Sequence, residues 1–361
     1  VTGLDENSYA KDFTGARGAF LDACAAVGLE PTAHPHPLQG PNGEALATDV
    51  VRIGPERAAR LLVIISGVHG VELYCGSACQ VRLLREGHFR DLPADTAVLL
   101  IHALNPWGAA HNTRTTEGNV DLCRNFLDFD APLPQAPVYE KVAHAFAGSA
   151  GAAGAGEILR EFTEKHGVPA FLAAVMGGQY AHPDGFSFGG HERVWSNGVL
   201  TEVLQTHGAG AERVLGIDIH SGLGPYGHGT LVSMQTGAQL ASVRKSFGEP
   251  VEAPRDRPPD LPGEFYVTTG HCADGFADAL PGVDAMMVTA EFGTYSAERN
   301  LAALVDSHWL NVHGDAGDKG ADAIRQEMRD THAPDDPEWR DAVWTRLLQM
   351  LRQASRCLQD D

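Results

Sequence analysis

Leu61-Leu62-Val63-Ile64-Ile65 is an unbroken apolar run closed by Ser66-Gly67. A strand with one wet face alternates apolar and polar side chains, whereas a continuous run of this length belongs to a strand covered on both faces. Thr96–Leu104 (TAVLLIHAL) repeats the pattern and ends at the turn Asn105-Pro106. Leu215–His220 (LGIDIH) and Met286–Phe292 (MMVTAEF) are strand-like runs that end in polar residues, and Thr48–Ile53 is a short β-branched strand. Helical spacing marks Tyr9–Val27, with Phe13, Phe20, Leu21 and Cys24 near one face, and Glu72–Glu86, with Leu73, Val81 and Leu84. Ser296–His313 also reads as a helix. So does Pro337–Cys357, with Asp336 as N-cap, Pro337 in the first position and a stripe of Val343, Leu347, Leu351, Ala354 and Leu358. Strands interleaved with helices imply an α/β fold with a mixed, mostly parallel twisted sheet flanked by helices.

A chain of 361 residues accommodates two average domains or one large α/β domain. No shift in composition separates two regions, so a single domain over residues 1–361 is expected. Ala147–Gly156 (AGSAGAAGAG) offers nothing to bury and Glu249–Glu264 carries five prolines among charges, so both read as surface loops.

Apolar residues at 43% and charged residues at 20% suit an ordinary folded enzyme. The 47 acidic against 27 basic side chains give a formal charge of −20, which repels nucleic acid and anionic membranes, so neither is an expected partner. No stretch approaches the roughly 20 apolar residues of a membrane span. Val1–Glu30 lacks a basic-then-apolar signal pattern, and a cytoplasmic protein is the expectation. Six scattered cysteines form neither zinc-knuckle spacing nor a disulfide framework and read as reduced thiols.

The chemistry gathers at the strand ends, where an α/β sheet places its ligand crevice. His69 and Glu72 follow Leu61–Ser66, Asp218 and His220 close Leu215–His220, Glu291 closes Met286–Phe292, and the loop from Asn105 to Phe126 carries Arg114 and Arg124. A histidine and a glutamate three residues apart supply two of the three protein ligands of a catalytic zinc site. The inventory of imidazoles, carboxylates and arginines fits metal-assisted hydrolysis of an acyl bond. Asp218 shares a strand face with His220 and either orients that ring or caps the sheet end. His102 and His111 read as structural.

In order and local sequence, SGVHGVELYCGSACQ, NPWGAAHNTRTTEGNVDLCRNF, GQYAHPDGFSFGG, GIDIHSGLG and TAEFGT resemble the zinc carboxypeptidase family, the funnelins. The likeness spans nearly the whole chain and is nearer to a bacterial carboxypeptidase-like branch; aspartoacylase and succinylglutamate desuccinylase are more distant relatives. The resemblance implies one zinc ion held by His69, Glu72 and His220, with Glu291 as the carboxylate that activates water and shuttles its proton. It makes Arg114 the stabiliser of the developing oxyanion, Asp121 the carboxylate that orients a ligand histidine, and Arg124 the receiver of a substrate carboxylate. Cys123 and Asn125 flank Arg124 in the implied substrate site. Of Tyr180, Tyr266 and Tyr295, Tyr266 stands at a suitable distance before Glu291 to be the substrate-contacting tyrosine, although its local sequence matches poorly. The implied substrate is a small peptide or an N-acyl amino acid. A zinc amide hydrolase of carboxypeptidase type is the leading reading, an aspartoacylase-like deacylase the alternative. A binding protein on the same scaffold, or an α/β protein without metal, stands further off.

Two positions depart from the family. Cys123-Arg124-Asn125 replaces the usual Asn-Arg-Asn, and a thiol is a weak donor. One lost hydrogen bond to a charged group costs about 1.5–3 kcal/mol, roughly 10- to 150-fold in affinity. Weaker retention of unmodified C-termini is therefore expected, unless Cys123 simply packs against the sheet. Leu73-Tyr74 stands where that branch has Gly and an aromatic residue, which alters one wall of the pocket.

Overall fold

A computed structural model describes residues 9–148, 151–248, 250–258, 265–315 and 317–359. Its strands are β1 (Thr32–Gln39), β2 (Ala45–Ile53), β3 (Arg60–Ser66), β4 (Thr96–His102), β5 (Arg213–Gly222), β6 (Gly229–Ser233), β7 (Val251–Glu252) and β8 (Asp284–Gly293). They form one sheet in the order β1-β2-β4-β3-β5-β8-β6-β7. The central four, β4-β3-β5-β8, run parallel. Antiparallel pairings join β2 to β4 and β6 to β8, so the sheet is mixed, as the sequence implied.

The apolar run in β3 is explained by its place between β4 and β5, with helices over both faces. Leu62 and Ile64 point into a cluster with Leu73, Val81, Phe20, Val343 and Leu347. Leu61, Val63 and Ile65 point the other way, against Val203, Leu204 and Phe276. Each such side chain, fully buried, contributes roughly 1.5–3 kcal/mol. Inside the first layer, helix Leu73–Glu86 is buried from Leu73 to Leu84. Its Gln80 donates to Ile64 O and Ile101 O at 3.0 and 3.1 Å and accepts from Ser66 Oγ at 2.9 Å, tying the helix to the ends of β3 and β4.

Both helix starts are capped, the second by the residue the sequence marked. Ser296 caps Ala297–His313, and Asp336 accepts from Glu338 N at 2.9 Å ahead of Pro337–Gln359. Three sequence expectations need correction. Within the segment read as a Gly/Ala loop, Gly151–His166 is a helix, because alanine is the best helix former and Ala155 and Leu159 do find a core to enter. Part of the proline-rich segment pairs: Val251–Glu252 adds β7 to the edge beside β6, while residues 249 and 259–264 lie outside the described residues. The third concerns two strands that were not expected, β1 and β6. Among the described residues, no helix is long and apolar enough to cross a membrane.

Close approach fixes the turn after β3. A Cβ on Gly70 would lie 2.1 Å from Gly108 C and 2.4 Å from Ala109 N, both backbone atoms. Gly70→Ala is therefore expected to lower unfolding free energy by at least ~2 kcal/mol in denaturant titration. Gly18→Ala, inside helix Phe13–Ala26 with open space at the Cβ, should raise it by about 0.5–1 kcal/mol. His102 is structural: it stacks on Phe20 at 4.3 Å, its Nε2 lies 2.9 Å from Ser77 Oγ, and burial pushes it down to about 3. Its stabilising effect is complete above the unfolded value near 6.5 and is lost as pH falls toward the folded value. Between those limits this side chain steepens the fall of stability with acid by up to ~1.4 kcal/mol per pH unit, and His102→Gln should flatten that slope in chemical denaturation.

Candidate metal centre

The polar ends of β3, β5 and β8 converge at one edge of the parallel strands. His69 lies just past β3 and Glu72 ends the short turn Gly70–Glu72 that starts the following helix. His220 and Glu291 sit opposite each other in the register of β5 and β8. Alternation along β5 puts Asp218 on the same face as His220, and along β8 it puts Thr289 beside Glu291.

Glu72 is the hub. Its Oε1 lies 2.8 Å from His69 Nδ1 and its Oε2 lies 2.9 Å from His220 Nδ1. Ser221 N donates to Oε2 at 3.0 Å. The far nitrogen of each imidazole faces another buried carboxylate: His69 Nε2 is 3.3 Å from Asp121 Oδ1, and His220 Nε2 is 2.5 Å from Asp218 Oδ2. Carboxylates on the outer nitrogen fix the ring and leave the inner nitrogen to a metal, the usual support around a zinc-ligating histidine.

Ligand atoms of His69, Glu72 and His220 all lie within 4.8 Å of one another. Cys123 falls within the same reach of His69 with Asp121, and of Asp218 with His220. Those two groupings would take Asp121 or Asp218 away from the imidazole it holds, so the first set fits an ion best. The field agrees. Burial and Arg114 oppose charge on His69, yet Glu72, Cys123 and Asp121 push it up to about 10. Burial would raise Glu72, but the two imidazoles hold it well below the usual carboxylate range. A region where buried carboxylates outnumber fixed cations demands positive charge, and a divalent ion between two imidazoles and a carboxylate meets that demand.

Around this centre, Arg114 Nε donates to Asp121 Oδ2 at 3.2 Å and its Nη1 stands 3.7 Å from Glu72 Oε1. Burial would raise Asp121, but Arg114, Arg124 and His69 hold it low. Asp218, without an arginine, is raised by burial. Glu291 Oε1 accepts from Leu223 N at 3.0 Å; burial and then Glu72 push its carboxyl up to about 7.

One cleft is lined by His69, Arg114, Arg124, His220, Tyr266 and Glu291, with Cys123 and His271 also in its wall. Tyr266 is thus the cleft tyrosine. Tyr180 lies beneath it, 2.7 Å from Arg124 O, and Tyr295 lies under Arg299. His111 stacks on Trp107. Cys123 is buried with its Sγ 3.9 Å from Cys272 Sγ, and all six cysteines are unbridged. Asn125 is not among the residues that line the cleft: its amide donates to Gly189 O and Glu192 O and accepts from Val194 N, so it braces the backbone. His271 and Thr268 escaped the sequence reading. They lie in TTGHCADGF, away from any strand end or motif, and no sequence signal marks them.

A family model described as "Protein of unknown function (DUF2817)" matches residues 9–346. No curated protein sequence matches the chain. Among solved structures, thrombin activatable fibrinolysis inhibitor is similar at 10% identity over 99% of this chain and 77% of that one, with a TM-score of 0.52. A metallo-carboxypeptidase from Burkholderia cenocepacia is similar at 15% identity over 81% and 66%, with a TM-score of 0.38. An aspartoacylase family protein from Mesorhizobium loti is similar at 17% identity over 79% and 67%, with a TM-score of 0.39.

Zinc added to metal-free protein should raise Tm, by ~2.7 kcal/mol of stability at a hundredfold excess over Kd. Combined His69→Ala, Glu72→Ala and His220→Ala should abolish that shift. Asp121→Ala should weaken zinc affinity by roughly 10- to 100-fold in chelator competition; wild-type affinity would show that Asp121 orients nothing.

Proposed function

The chain belongs to the DUF2817 family and has the zinc carboxypeptidase fold, and from that premise we propose that it hydrolyses an amide bond next to a free carboxylate in a small peptide or N-acyl amino acid, using a metal ion. The observation that carries this is the buried Glu72 carboxylate shared by two imidazole Nδ1 atoms, with Glu291 across the strand pair. His69, Glu72 and His220 would hold a single zinc-type ion, which supplies Lewis acidity and an acidified water when bound.

The chain's own groups account for the remaining work. Leu223 N–H holds Glu291 Oε1, which leaves Oε2 to take a proton from the attacking water and return it to the leaving nitrogen. Arg114, kept in place by Asp121, presents guanidinium N–H groups to the negative charge that builds on the carbonyl oxygen. Arg124 supports the carboxylate end of the substrate. It is buried at 2% exposure, it lines the cleft, and no acidic group lies within 4 Å of it among the described residues. A buried guanidinium with no carboxylate in contact is costly, and a substrate anion relieves that cost.

The test is a panel of N-acyl amino acids and short peptides, with metal removed and restored and products identified by mass spectrometry. Hydrolysis should require metal, and the products show which bond is cut. Glu291→Gln should lower kcat by about 10²–10⁴-fold with metal content unchanged. Turnover that persists undiminished after metal removal or in Glu291→Gln would falsify the proposal.

A further inference from the structure

One wall of the cleft carries hydrogen-bonding capacity that the protein does not use. Arg124 spends three of its five N–H groups: Nε and Nη2 donate to Met176 O at 3.1 and 2.6 Å, and Nη1 donates to Cys123 O at 2.8 Å. Two remain. Thr268 Oγ1 is buried in the same cleft and has no partner among the described residues. His271, also in the wall, accepts at Nδ1 from Ala273 N at 3.0 Å, where it caps the short helix Cys272–Asp278. A nitrogen that accepts cannot carry the proton, so the neutral ring holds it on Nε2 as a donor.

The same three groups are bolted together through the backbone. Gly270, at φ +67°, would bring a Cβ within 2.4 Å of Arg124 O, so the 268–271 segment rests directly on Arg124 and only glycine fits there. Phe126 N donates to Gly270 O at 3.1 Å, and Tyr180 Oη lies 2.7 Å from Arg124 O and 3.3 Å from Thr269 O.

From this geometry we infer that His271, beside Thr268, is a further positioning residue for the carboxylate that Arg124 receives, and that it donates its Nε2–H to a carboxylate oxygen. The inference rests on the carboxylate-adjacent hydrolase reading above and assigns His271 as a binding and positioning residue. Charge selects the ligand class. One guanidinium balances one negative charge, while Asp121, Glu72 and Glu291 nearby oppose a dianion such as a phosphate monoester. Leu223, Val232, Met234 and Phe265 complete the wall and favour an apolar group next to that carboxylate. His271 also supplies, from a distant segment, the donor that Cys123 lacks, which offsets the weaker carboxylate retention expected from Cys123 alone.

The probes are 4-methylpentanoate and 4-methylpentanamide, nearly equal in shape and different in charge, titrated calorimetrically into the full metal-loaded chain. The acid should bind at least tenfold more tightly than the amide. Two variants separate binding from folding. His271→Asn retains an acceptor for Ala273 N but is too short to replace Nε2; Tm should hold while the acid binds roughly 10- to 100-fold more weakly. His271→Gln extends an N–H toward the Nε2 position without the cap; Tm should fall while acid binding largely survives. Equal binding of acid and amide, no saturable binding of the acid, or wild-type acid affinity in His271→Asn would each overturn the inference. Hydrolysis is scored separately. Turnover without acid preference removes the carboxylate site and leaves metal-dependent amide hydrolysis standing, and acid preference without turnover does the reverse.

Discussion

Glu72 places a full negative charge at 3% exposure, where water cannot solvate it, and the strand ends are arranged around that constraint. Its two oxygens are met by His69 Nδ1, His220 Nδ1, Ser221 N and, at longer range, Arg114. Those partners come from β5 and from two separate connections, so compensating one carboxylate fixes the relative positions of several pieces of chain. The turn that carries Glu72 is pressed against Gly108 and Ala109, and Gln80 locks the helix after it to β3 and β4. Scaffold and site are therefore one mechanical unit.

Electrostatics divide the cleft into two parts. Around His69 and His220 the carboxylates of Glu72, Asp121 and Asp218 outnumber the fixed cations, so that end attracts a positive ion. Around Arg124 the balance reverses, because among the described residues its guanidinium donates only to carbonyl oxygens. Glu291 lies with the first part, where burial and then Glu72 push its carboxyl up to about 7.

Much of the fold was legible because burial leaves a compositional mark. The core strands β3, β4, β5 and β8 are continuous apolar runs, and the helices over them show their spacing. The edges leave weaker marks. β1 reads TAHPHPLQ, with two prolines and mostly exposed side chains, and β6 is short. Prolines are tolerated at an edge, where one side needs no ladder bonds, so β1 escapes a pattern tuned to buried strands. Residues 151–156 misled for the opposite reason: glycine suggested a loop, but Ala155 entering a core and the helix propensity of alanine outweighed it.

The sequence by itself determined which strand ends carry imidazoles and carboxylates, and the order of its motifs identified the fold. Only the tertiary structure decided how those groups meet. His69 and His220 are 151 positions apart, and their shared contact with Glu72 depends on β3 and β5 being parallel neighbours. Asn125 sits in the matching motif yet turns away, because Gly189, Glu192 and Val194 consume its amide. His271 sits in no motif yet enters the cleft with a defined tautomer, because a backbone N–H occupies its other nitrogen. Hydrogen-bond partners are set by distance in space, and one-dimensional spacing does not encode them.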